Sequence, residues 1–195
     1  MAILLSLVRH EISNVRFYYR DVFNCLLVFV VFVYAGYIAA VLLQDKAAVY
    51  YHTVREIILG GGLPENIFLY ILIRNSLVSL TALVLGILTF NMWPILVLMF
   101  NGAVSGFAVK MQSLLFHRYS FEIWLFGLLP HGVPELAALF LACGASFYYR
   151  RLRNKGKFSW TGVARTFFIV VMPLLVLAAA LETYVTPVLI FRFLM

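Results

Sequence analysis

From residue 22 to residue 43 the chain reads VFNCLLVFVVFVYAGYIAAVLL, without a charged side chain. About 20 apolar residues are what a helix needs to cross the hydrocarbon core of a bilayer. No water is present there to satisfy the backbone, so the run must be a helix whose N–H and C=O groups bond to one another. Four more apolar segments follow, at roughly 67 to 89, 93 to 111, 121 to 149 and 166 to 191. They dominate a chain of 195 residues that is 64% hydrophobic and 12% charged, with mean hydropathy +0.99. Those proportions exclude a water-soluble domain, in which about a quarter of residues are charged, and a disordered tail. Two cysteines, Cys25 and Cys143, exclude a disulfide scaffold, and both lie in apolar stretches where a thiol packs as a small hydrophobe.

The expected architecture is therefore all-α and polytopic, with about five transmembrane helices. An N-terminal amphipathic segment over 1–21 precedes a single membrane domain over 22–195. In the segment, Leu4, Val8, Ile12, Val15 and Tyr19 share one helical face and Arg9, Ser13, Arg16 and Arg20 another. That pattern suits a helix lying on an anionic leaflet, or an extension of the first span. Its charges, with no small-residue cleavage site after them, exclude a cleavable signal.

The fourth segment is longer than a perpendicular span and carries Pro130 and Pro134, so we read it as one broken span, with a re-entrant loop as the competing arrangement. Residues 44–66 form an external segment with a helix-like stretch closed by Gly60, Gly61, Gly62 and Pro64.

The net charge of +7 speaks to topology, not to nucleic acid, because six of the fifteen Lys and Arg residues crowd into the loop at 150–165. With the N-terminus cytoplasmic, nine basic residues flank the spans inside and five outside. The positive-inside rule then places the 150–165 loop in the cytoplasm and the C-terminus outside. Trp93, Trp124 and Trp160 fall near span ends, where indoles anchor at the interface.

Ionisable groups at membrane depth are costly and mark candidate sites. Here they are Arg74, His131, Glu135 and Glu182, with Asn75 and Asn101 as neutral members. Opposite charges inside a bundle serve either as glue between helices or as a relay for protons or ions, and residue types alone do not separate the two. His131 and Glu135 share a face if the helix is regular, but Pro134 lies between them. No second histidine pair or cysteine cluster completes a coordination sphere, so no metal and no other cofactor is expected. An intramembrane hydrolase using His131 and Glu135 is the weakest reading. NGAVSG places Gly102 and Gly106 one turn apart, a small-xxx-small pattern for close helix approach and a contact face for a homodimer. Gly132 thins the fourth span in the same way.

The succession RNSLVSLTALVLGI, LMFNGAVSGF, LLPHGVPELAALFLACGASF and LETYVTP resembles the stage II sporulation protein M family of multi-pass membrane proteins, across about residues 70 to 190. The motif positions are Asn75, Gly86, Asn101, Gly102, Gly106, Pro130, His131, Gly132, Glu135, Gly144, Glu182 and Pro187. This chain departs from the family at Arg74, where a second Asn is frequent, and at Cys143, in a stretch that is usually small. The resemblance implies a bacterial or archaeal cytoplasmic-membrane protein without catalytic activity of its own. It also implies a scaffold that organises peptidoglycan-remodelling enzymes, a lytic enzyme and an amidase-type hydrolase in the sporulation member. The alternative is a small transporter or channel whose polar midplane site lies at the broken fourth helix. The odd number of spans and the lack of an internal repeat weigh against transport by one copy.

Overall fold

The computed structural model describes residues 6, 8, 9, 11, 13–44, 49 and 65–194. Among the described residues, five helices are long and apolar enough to span a membrane: α1 (Tyr19–Leu42), α2 (Ile67–Leu88), α3 (Met92–Phe116), α4 (Ser120–Asn154) and α5 (Trp160–Phe193). No strand occurs among the described residues. The expected external helix at 44–66, with its closing glycines, falls almost wholly outside them.

Local chemistry sets the boundaries. The Asn66 side chain accepts a hydrogen bond from the Leu69 N–H at 3.0 Å and caps the start of α2. Phe90 and Asn91 take positive φ, 54° and 65°, and this tight turn sends α3 back against α2. Gly156, at φ 68°, stops α4 in the left-handed conformation that costs glycine nothing. The Ser159 hydroxyl caps the start of α5 by accepting from the Gly162 N–H.

Prolines explain the irregular turns. Three π-helical segments, Ile123–Leu128, Thr166–Val171 and Leu181–Val185, each end just before a proline, namely Pro130, Pro173 and Pro187. Proline supplies no N–H to the carbonyl four residues back, and its ring crowds that carbonyl, so a widened turn relieves both faults. This revises the expected break at Pro130–Pro134. The irregularity lies at Ile123–Leu128, ahead of Pro130, and Pro134 sits buried inside the continuous helix Leu129–Asn154. The fourth segment is one span of 35 residues, not a re-entrant loop. At about 1.5 Å per residue it exceeds the roughly 30 Å hydrocarbon core, so it tilts or projects its basic end beyond the membrane.

Helix α4 is the hub, packing against α1, α2 and α5. Its inner surface is small: Ala138, Ala142, Cys143 and Ala145 are fully buried. Cys25 and Cys143 are both buried thiols free of a disulfide, in one cluster with Phe29 and Phe140, whose rings meet edge to face at 5.4 Å.

The most extensive helix pairing is α1 with α3. A Cβ added to Gly102 would meet the Phe29 carbonyl at 2.6 Å, and Cβ atoms at Gly106 and Gly36 would collide with the carbonyls of Val33 and Ala103. The NGAVSG face is thus occupied by α1 of the same chain and is not the open dimer surface that the sequence offers.

At the other end of the chain the N-terminal segment differs in facing from the sequence expectation. Its described residues are helical up to a 3-10 turn at Val15–Phe17, but Tyr19 is exposed and Glu11 and Tyr18 are buried.

Candidate functional site

Helices α2, α3, α4 and α5 surround an open cavity of about 320 Å³. It is lined by Tyr70, Arg74, Asn75 and Ser79 from α2, Phe100 and Asn101 from α3, Glu135 and Leu139 from α4, and Glu182 from α5. Five of the six polar candidates from the sequence therefore meet on one wall system, although 108 residues separate Arg74 from Glu182 in the chain. The sixth, His131, is buried one turn below Glu135, and donor atoms of His131, Glu135 and Glu182 lie within 4.8 Å of one another.

Two backbone features create that meeting. The helix Leu129–Asn154 remains regular through Pro134, so His131 and Glu135 keep their i, i+4 relation on one face. The expectation that Pro134 spoils this register is overturned. The π turn Leu181–Val185 carries Glu182 and touches both α4 and α2, so the widened turn before Pro187 presents the carboxylate to the junction. Pro187 itself is exposed; its contribution is the turn that precedes it.

His131 is oriented from behind. Its Nδ1 pairs with the Thr186 hydroxyl at 3.0 Å, both side chains being buried. With Nδ1–H donating to the hydroxyl, Nε2 carries the free lone pair. Asn101 is fixed by donation from Nδ2 to the Val97 carbonyl at 2.8 Å. Arg74 lies on the exposed side of the cavity and makes no direct ion pair with either carboxylate among the described residues. The cluster is therefore a polar chamber with a dispersed positive charge, not a closed salt bridge.

The remaining sequence candidates divide by role. Gly102 and Gly106 serve the α1–α3 seam, and Pro130 ends the π turn of α4. Gly132 is buried with room for a methyl group, its nearest neighbour Leu128 standing at 3.6 Å, and nothing in the packing requires glycine there.

Sequence reasoning missed Tyr70, Ser79, Phe100 and Thr186. Ser79 follows Asn75, and Thr186 follows Glu182, by one helical turn, which is the signal that finds them. It also missed a buried polar group at the opposite end of α4. There the Tyr149 and Thr166 hydroxyls lie 2.8 Å apart, and the Thr166 hydroxyl donates to the Glu11 carboxylate at 3.3 Å. Tyr18 packs beside this group with no hydrogen-bond partner for its hydroxyl among the described residues, and burial raises its pKa above the ordinary tyrosine value. Glu11 precedes the first span, so a search for charges at membrane depth passes over it.

A family model described as Stage II sporulation protein M matches residues 25–187. No curated protein and no solved structure is detectably similar to the chain.

Proposed function

Because the chain belongs to the Stage II sporulation protein M family, we propose that it is a non-enzymatic scaffold of the bacterial or archaeal cytoplasmic membrane that recruits or organises peptidoglycan-remodelling enzymes. The observation that carries this reading is where the family relation lies. The matched residues 25–187 take in nearly all of the five-helix body, and the connections at 89–91, 117–119 and 155–159 are short. Among the described residues there is thus no water-exposed domain in which wall chemistry could be housed. Such chemistry would belong to partners held against the bundle or its external segment at 44–66. The family is not a known enzyme family. The charge distribution supports a cytoplasmic N-terminus, with nine basic residues inside and five outside.

The test is purification of tagged protein in mild detergent with mass spectrometry of what stays bound. Stoichiometric wall hydrolases are the expected result. Their absence, together with flux or cleavage by the reconstituted protein alone, contradicts the scaffold.

One observation favours a second reading, transport or ion passage: the charged cavity at the α2–α3–α4–α5 junction. It predicts that Glu135→Gln or Glu182→Gln abolishes flux in proteoliposomes while the protein still folds. A homodimer is compatible with either reading, on a surface other than the Gly102–Gly106 face.

A further inference from the structure

The geometry points to a divalent transition-metal site formed by His131, Glu135 and Glu182. The donor set is one imidazole nitrogen and two carboxylates, the chemistry that Zn²⁺ and its neighbours accept. Donors bound at 2.0–2.2 Å stand about 3 to 3.5 Å apart around one ion. The three side chains already have donor atoms within 4.8 Å of one another, so closure takes shifts of about an ångström. Two donors come from one helix face, at i and i+4 of Leu129–Asn154, and the third from the π turn Leu181–Val185, a turn type that recurs at functional sites.

Two independent features around the triad match what metal sites need. Thr186 pairs with Nδ1 of His131 at 3.0 Å and so orients the ring, and in the tautomer with Nδ1–H donating it leaves Nε2 free for an ion, the outer-sphere support that ligating histidines normally have. The cavity of about 320 Å³ borders both carboxylates, leaving space for water at an open coordination position. Two carboxylates set this close at membrane depth repel each other and call for a cation between them. Arg74 does not fill that place: its charge reaches both carboxylates, but it lies on the exposed side of the cavity and ion-pairs with neither among the described residues. The site is independent of whether the protein acts as scaffold or transporter.

The test uses the whole chain in detergent, stripped with chelator and titrated with Zn²⁺ alone by calorimetry. One equivalent per chain is expected. His131→Gln, Glu135→Gln and Glu182→Gln each weaken it by about 100-fold or more, and Thr186→Val by about 10-fold. Arg74→Gln retains the equivalent. Absence of a stoichiometric site, or a site whose affinity is unchanged in the three ligand variants, overturns the proposal. Because a variant can fail to fold, X-ray absorption of the wild-type zinc form supplies a second reading. A first shell containing one imidazole with oxygens is expected, and sulfur or all-oxygen coordination overturns the assignment.

Discussion

The α1–α3 seam and the α2–α4–α5 junction are built from similarly apolar helices yet are opposite kinds of interface. At the seam, Gly36, Gly102 and Gly106 bring backbone against backbone and leave no space for a side chain. At the junction, prolines and π turns hold the helices in shapes that leave a polar cavity of about 320 Å³. Membrane helices gain little from burying one apolar surface against another, since lipid is equally apolar, so close packing is what holds such a bundle. The seam thus stabilises the fold, whereas the junction gathers charges at some cost to stability.

That division makes predictions of opposite sign. The largest concerns the seam. Gly106→Leu forces a side chain into the Val33 carbonyl and costs about 3 kcal/mol or more, read as loss of monodisperse protein on size exclusion and a lower unfolding temperature. At the junction, Glu182→Leu removes a carboxylate that faces Glu135 and makes no direct ion pair among the described residues, with Arg74 the nearest positive charge on the cavity wall. Stability in detergent then rises by about 1 kcal/mol. A large loss there would mean that the cluster is glue after all.

Smaller effects sharpen the picture away from both regions. Tyr149→Phe removes the partner of the Thr166 hydroxyl in the buried group with Glu11 and costs about 1 kcal/mol by thermal unfolding. The smallest concerns Asp21 and Arg151, joined by two hydrogen bonds at 2.7 and 3.0 Å at the surface. Asp21→Asn costs about 0.5 kcal/mol, and less at high salt.

The same contrast explains how far the sequence could be read. Span length and charge alone located all five helices, because the lipid requirement leaves a run such as 22–43 no alternative. The intramembrane charge criterion likewise found Arg74, His131, Glu135 and Glu182, since each stands out against an apolar background. Which face meets which was not legible. NGAVSG announces close approach but not its partner, and Gly36 with Ala40 makes a second small-xxx-small pair on the first span that nothing in the sequence links to it. Proline announces a disturbance but not its form. A π turn ahead of Pro130 and a regular helix through Pro134 are decided by how α4 packs against its neighbours, which residue order in one segment does not encode.

The polar residues of four helices line one chamber, which the account expects to be open to water within the membrane. The most direct measurement of that opening is the reaction of single introduced cysteines with a charged, membrane-impermeant thiol reagent in intact membranes. Cys25 and Cys143 are buried in the core and supply an unreactive background. Asn101 and Val104 lie on one helix about 4.5 Å apart along its axis, one lining the cavity and the other exposed on the outside of the bundle. Asn101→Cys should label at least tenfold faster than Val104→Cys. Equal and negligible labelling at both positions would contradict the account, for the junction would then be dry.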